Sequence, residues 1–301
     1  WYRFDNKRGK YFYVRKKQQS TSKIYKLVMP SIKKFRILKF KSKPIMTARG
    51  ISKLIDKRVV LRKIDFEINK GEIFGLLGPN GAGKSVTFNI LLGIMKANQG
   101  NVYVEGTKIT NYAIHERAKN FSIGYIPQND SVFKGLSCLD NLKAIAEITI
   151  KDRVKQDSIV EKLLSEFSLS HLRNVMANNL SGGERKKLVI ARALINNPKI
   201  LLMDEPYGAV DPINIDMIKK IILNLQKKGV SVLITDHSAQ NVLSIVDRCS
   251  IISGGEIITS GKPKDIVHDK QARQLYFGEH FSVSWYIIAA LIFDEIFFNR
   301  C

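Results

Sequence analysis

The stretch IFGLLGPNGAGKSVTFNILLGIM, residues 73–95, decides the fold. Its first five residues are continuously apolar, the pattern of a strand buried on both faces. Its last ten place apolar residues at helical spacing. Between them, GPNGAGKS at 78–85 satisfies G-x-x-x-x-G-K-[ST] in the strand–loop–helix context that gives the pattern its meaning. Glycines let backbone N–H groups turn inward around a phosphate, and the helix N-terminus adds its dipole. Read this way, Gly78, Pro79, Asn80, Gly81, Ala82, Gly83, Lys84, Ser85 and Val86 cradle the phosphates of a nucleotide. Lys84 reaches the β- and γ-phosphates and Ser85 ligates Mg²⁺. An ordinary glycine-rich turn is the alternative, and eight matching residues in context weigh against it.

Working outward, VVL at 59–61 and IDFEI at 64–68 read as two strands of a half-exposed sheet. Downstream, KILLMD at 199–204 and VSVLITD at 230–236 are continuous apolar runs alternating with helical segments. That alternation predicts an α/β fold with a parallel sheet covered on both faces. The stretch from Leu136 to Asn179 carries helical periodicity and reads as a helical insertion into this core. No internal repeat interrupts the pattern.

LLMDEP at 201–206 is an apolar strand ending in two acids. Successive side chains on a strand point to opposite faces, so Asp204 and Glu205 are expected to do different work. Asp204 faces the phosphate loop and holds the Mg²⁺ shell, while Glu205, just past the strand, polarises an attacking water. Gln128, in GYIPQ, stands where a strand end delivers an amide to the metal or the water. His237, in ITDH, ends the last buried strand within reach of a γ-phosphate. The other four histidines, at 115, 171, 268 and 280, read as structural.

A second glycine-rich loop opens LSGGERKKLVIARALINN at 180–197. Ser181 is spaced to cap the helix and Glu184, three residues on, to complete a capping box. A helix N-terminus of this kind suits an anion.

The net charge of +22 is uneven: residues 1–45 hold fifteen Lys/Arg and one acid, leaving +8 for the other 256 residues. A basic arm is compatible with nucleic acid, anionic lipid or a solvated tail. The three cysteines (Cys138, Cys249, Cys301) have neither CxxC spacing nor a histidine partner, against a disulfide frame or a zinc site. The longest apolar run, WYIIAALIF at 285–293, is ended by Asp294 and Glu295 and is too short to span a bilayer.

Together these motifs resemble the ATP-binding subunits of ABC transporters over roughly residues 47–281. The resemblance implies a P-loop NTPase fold: a RecA-like core, a small antiparallel β subdomain and a helical subdomain. It places an ATP-binding domain at 46–281, with its helical subdomain at about 129–179, and leaves outside it 1–45 (a basic extension, disordered or spurious) and 282–301 (an apolar tail). It makes LSGGE at 180–184 the family signature, in which Ser181, Gly182, Gly183 and Glu184 bind the γ-phosphate of ATP held by a second copy of the chain. Gln128 becomes the Q-loop, Asp211 the D-loop aspartate and His237 the switch histidine. Two departures stand out. Ile55 occupies the place of the family's adenine-stacking aromatic, and Val86 that of a common second threonine.

The wording of HLRNVMANNLSGGERKK, DEPYGAVDPI, VLITDH and YFGEHF is most similar to the ATPases of lipopolysaccharide export systems. That implies ATP and Mg²⁺ as ligands and a homodimer under two integral permease subunits. It implies a peripheral position on the cytoplasmic face of a bacterial inner membrane, and no nucleic-acid partner. Phe133 matches the position that meets the permease coupling helix, against core packing as the plainer reading. The branched-chain amino-acid importer ATPases and the soluble non-transport ABC ATPases are the alternatives.

Overall fold

A computed structural model describes residues 2–5, 10–13, 44–208, 210–278 and 281. Most of the basic extension and the tail at 282–301 lie outside the described residues. The chain divides into two units, Trp1–Lys41 and Ser42–Cys301. In the first, β1 (Tyr2–Asp5) pairs antiparallel with β2 (Lys10–Tyr13).

The second unit opens with β3 (Pro44–Ile55) and β4 (Arg58–Asn69), two long strands joined at Asp56 and Lys57, both left-handed at φ 48° and 64°. Paired positive φ is the geometry of a tight hairpin turn. The two strands expected at 59–61 and 64–68 are therefore one. Lys63, at φ 49°, kinks the backbone between them without ending the pairing, and the register shifts around it. With β6 (Gln99–Val104) and β7 (Thr107–Lys108) these strands form an antiparallel sheet in the order β4-β3-β6-β7.

The central sheet has six strands in the order β12-β11-β5-β10-β9-β8. β5 (Ile73–Leu77), β9 (Ile200–Asp204) and β10 (Ser231–Thr235) are buried at every residue, as their unbroken apolar runs require. β8 (Ile123–Ile126) and β11 (Arg248–Ser253) continue the parallel set, and β12 (Glu256–Gly261) adds an antiparallel edge. Helix α1 (Lys84–Leu92) leaves the phosphate loop and α2 (Ile114–Phe121) precedes β8. The expected insertion is helical: α3 (Cys138–Thr149) and α4 (Arg153–Glu166), with 3₁₀ turns at 170–172 and 177–179. Helices α5 (Gly182–Leu194) and α6 (Pro212–Lys227) return the chain to the sheet, and the short α7 (Ala239–Leu243) follows β10.

Two apolar cores result. One joins Phe74 and Leu76 of β5 to Met46, Ile64 and Ile68 of the antiparallel sheet and to Phe88 and Leu91 of α1. The other joins Ile73 and Leu77 of the same strand to α5, α6 and the helical insertion through Leu142, Leu163 and Leu188. Alternating side chains of β5 thus serve both cores. The strand that carries the phosphate loop is anchored on both faces.

Candidate active site

Four adjacent strands, β5, β10, β9 and β8, deliver their carboxyl ends to one edge of the sheet, the place where open α/β sheets bind ligands. β5 runs into Gly78, β8 toward Gln128, β9 ends at Asp204 and β10 leads to Asp236 and His237.

The phosphate loop is as tight as its glycines suggest. A Cβ on Gly78 would stand 2.0 Å from the Ile252 carbonyl oxygen, and one on Gly83, at φ 107°, 2.5 Å from Leu61 Cδ2. Lys84 is 6% exposed and donates to the carbonyls of Gly78 (2.8 Å) and Pro79 (3.0 Å), so its ammonium lies across the loop. Burial pushes its pKa down, opposed by the nearby carboxylates of Glu205 and Asp204. Ser85 is exposed at the junction of loop and helix, while Val86 packs against the first core.

The two acids converge more than strand alternation predicts. β9 ends at Asp204, and Glu205 adopts φ 51°, which breaks the alternation. The Glu205 amide then donates to the Thr235 carbonyl at 2.8 Å, tying this bend to β10. Both carboxylates act on the Lys84 ammonium. Asp204 is pushed up to about 6, first by burial and then by repulsion from Glu205. Gln128 Nε2 donates to Glu205 Oε2 at 2.6 Å, and His237 Nε2 lies 2.8 Å from Glu205 Oε1. Gln128 and His237 therefore meet Glu205 on its two carboxylate oxygens.

Asp236 supports them and was not foreseen from the sequence. It is 3% exposed, and its two oxygens accept from Tyr207 N and Ser238 N, each at 2.9 Å. It thereby clamps the loop after Glu205 to the loop after His237. Its signal was an acid at the end of a wholly buried strand.

The second glycine loop has the capping box read from its sequence. Ser181 Oγ accepts from Glu184 N at 3.4 Å, and Glu184 Oε2 accepts from Ser181 N at 2.8 Å. Ser181 and Gly182 are exposed. A Cβ on Gly183 would stand 2.1 Å from Asn214 Oδ1, so glycine keeps α5 close to the start of α6. Asp211 is exposed and caps α6, accepting from Asn214 N at 3.0 Å. Among the described residues no hydrogen bond joins 181–184 to the phosphate loop of the same chain.

Phe133 is 43% exposed rather than packed in a core, with the Arg192 guanidinium 4.5 Å over its ring. Ile55 is half-buried beside the hairpin turn and offers an apolar face without a ring.

The donor set suits the proposed ligands. Ser85, Asp204 and the amide oxygen left free on Gln128 are hard oxygen donors, the kind Mg²⁺ takes alongside phosphate oxygens and water. Among the described residues no group of three or more His, Cys, Asp or Glu side chains is placed to hold a metal ion by itself.

Known proteins resemble the chain in sequence and in shape. Residues 61–208 match the ABC transporter family. The chain is 42% identical over 241 residues to the lipopolysaccharide export system ATP-binding protein LptB of Haemophilus influenzae, covering 79% of this chain and 99% of that one. It is 39% identical to its namesake in Acidithiobacillus ferridurans, with the same coverage of 79% and 99%. Among solved structures, an ATP-binding cassette of an ABC transporter in its ADP conformation superposes with a TM-score of 0.71 at 32% identity, over 79% of this chain and 100% of the other. A bacterial ABC transporter cassette solved as a dimer gives 0.65 at 26% identity, over 72% and 98%. Relatives about 40% identical over nearly their whole length, and a solved cassette of the same shape, place it: the chain belongs to the ATP-binding proteins of ABC transporters.

Proposed function

We propose that this chain is the ATP-hydrolysing subunit of a lipopolysaccharide export transporter, working as a homodimer beneath two integral permease subunits on the cytoplasmic face of an inner membrane. The observation that carries the chemistry is the Glu205 carboxylate, held on one oxygen by Gln128 and facing His237 on the other. Glu205 is the general base for the attacking water, since it is ionisable, nearly buried and fixed by two partners. Lys84 and the backbone N–H groups of the phosphate loop bind the β- and γ-phosphates and neutralise their charge. His237, 54% exposed at the side chain, reaches from its strand end toward the γ-phosphate. Ser85, Asp204 and Gln128 would hold Mg²⁺, which when bound supplies further charge neutralisation on the phosphate oxygens.

The Ser181–Gly183 loop, exposed at Ser181 and Gly182, and the exposed Asp211 complete the site of the opposite protomer. Their exposure, and the dimer formed by a bacterial cassette of this fold, support that arrangement. The cargo reading is supported by near-complete coverage of the lipopolysaccharide export relatives.

The test is purification in mild detergent from the native membrane with identification of the accompanying chains. Two integral permeases with large periplasmic domains are expected. Amino-acid permease subunits would overturn the cargo, and ribosomal proteins or no membrane chain would overturn the transporter reading.

A further inference from the structure

The segment from Gln128 to Phe133 makes three kinds of contact within six residues. At its start Gln128 donates to Glu205. At its end Phe133 is exposed, and its backbone is fixed by the fully buried Asn141, which accepts from Phe133 N at 2.8 Å and donates to Phe133 O at 3.0 Å. Between them the segment is gripped by basic side chains of α5, the helix whose first turn is the Ser181–Gly183 loop. Asp130 Oδ2 lies 3.7 Å from Arg185 Nε, and Asp130 Oδ1 lies 4.0 Å from Lys186 Nζ. Two turns further on, Arg192 Nη1 donates to the Ser131 carbonyl and the same guanidinium covers the Phe133 ring.

These contacts are not free to slide. The Lys186 side chain is 4% exposed, and its counter-charges are Asp130 and, further off, Asp236. A buried ammonium deprived of a carboxylate is strongly disfavoured, so Lys186 follows Asp130. The Arg185 guanidinium also donates to the Leu180 carbonyl at 2.9 Å, immediately before the signature loop. A displacement of the segment is therefore passed to both sides of that loop's base: through Arg185 to Leu180 and through Lys186 to the first turn of α5.

We infer that Asp130 is a positioning residue: through Arg185 and Lys186 it makes the Ser181–Gly183 loop follow the segment that ends at the exposed Phe133. The inference rests on the reading that this loop engages nucleotide held by a second copy. Packing of discrete elements against one another is the physical means by which such coupling travels.

The test uses the full chain carrying Glu205→Gln, mixed with ATP, with dimer formation followed by sedimentation across a range of protein concentrations. Adding Asp130→Asn should raise the concentration needed for dimerisation by about 5- to 20-fold, while a fluorescent ADP analogue binds each protomer with unchanged affinity. Asp130→Glu should recover most of the loss. Arg185→Gln, at a partly exposed position, should reproduce it, and the double variant should lose no more than the worse single one, the mark of shared coupling. Dimerisation of the Asp130→Asn and Arg185→Gln variants at the parent's concentration would overturn the inference. Failure of Glu205→Gln itself to dimerise with ATP would overturn both this inference and the composite-site reading beneath it, which separates the two outcomes.

Discussion

Glu205 shows how much a single backbone angle can do. Had β9 run one residue further, its side chain would have faced away from Asp204. Its φ of 51° brings it into contact with Gln128 and His237 instead. Left-handed backbone at a non-glycine residue is uncommon, and such strain gathers where it serves a site. Glu205→Gln keeps the shape and the hydrogen-bonding capacity but removes the base. We expect ATP binding within about twofold of the parent and turnover lowered by about 100-fold or more, measured by phosphate release; ordinary turnover would remove Glu205 as the base. Asp204 gives a pH prediction. Its folded pKa of about 6 lies above its ordinary value of 3.8. In the metal-free protein the folded state therefore gains stability as pH falls through 6 toward 4, and loses it as pH rises. Allowing for solvent around the site, the part that falls between pH 7 and pH 5 is about 1 kcal/mol. Urea titrations with a chelator at pH 7 and pH 5 should show this contribution in the parent and its absence in Asp204→Asn; equal pH dependence in both would contradict it. Lys84, Ser85, Asp204 and Glu205 were legible from motif and strand context, while Gln128 and His237 stood out only as strand-end residues and took their roles from the family resemblance. Asp236 was not legible, because its part is to hold two backbone amides from loops about thirty residues apart.

Helices and strands were legible where a local rule acts alone. The capping box of α5 is written in Ser181 and Glu184 and forms as written. The two strands read at 59–61 and 64–68 proved to be one, since a kink at Lys63 and a turn look alike in sequence while cross-strand pairing separates them. Ser181→Arg places a large cation where a neighbouring phosphate is expected to dock. We expect protomers that still bind ATP and lose hydrolysis at both sites, because in the proposed dimer each signature loop acts on the other chain; unchanged hydrolysis would defeat the arrangement in trans. Arg117 carries a different prediction. It is 2% exposed and donates to the carbonyls of Ile90 (2.7 Å), Leu91 (2.6 Å), Tyr112 (2.8 Å) and Thr110 (2.9 Å). Two of these lie in the last turn of α1, where the helix dipole favours a cation; the Ile90 carbonyl also accepts from Gly93 N at 3.2 Å. Burial pushes its pKa down to about 10, which leaves it charged at neutral pH. Arg117→Met keeps the volume but strands those carbonyls, and should cost about 3 kcal/mol or more by urea denaturation. A loss below about 1 kcal/mol would show that water satisfies them. No periodicity could have marked this arginine as buried, because its partners are backbone groups that only the folded chain assembles.

Across the whole cassette, a rigid strand edge carries the nucleotide chemistry and a helical insertion carries the exposed aromatic. Both share one apolar core, in which Leu142, Leu163 and Leu188 pack with Ile73 and Leu77 of the phosphate-loop strand. Phe133 stands out on this second part: the core takes its neighbour Val132, at 8% exposure, while Phe133 stays 43% exposed under Arg192. A large ring kept at the surface and backed by a guanidinium is the composition of an interface anchor, because aromatic and arginine side chains concentrate binding energy where water is excluded. Phe133→Ala removes the ring and leaves the Asn141 clasp on its backbone intact, so the loop keeps its course. A single anchor of this type is worth about 2 kcal/mol or more, roughly a 30-fold change in affinity. Recovery of permease chains with Phe133→Ala in mild detergent should therefore fall to a few per cent of the parent's under dilute conditions. Nucleotide-dependent dimerisation in the Glu205→Gln background should persist, because the ring lies outside the phosphate loops. Undiminished recovery would place the membrane contact elsewhere on the helical insertion, with Leu136 and Met176, 37% and 39% exposed, the next surface to substitute.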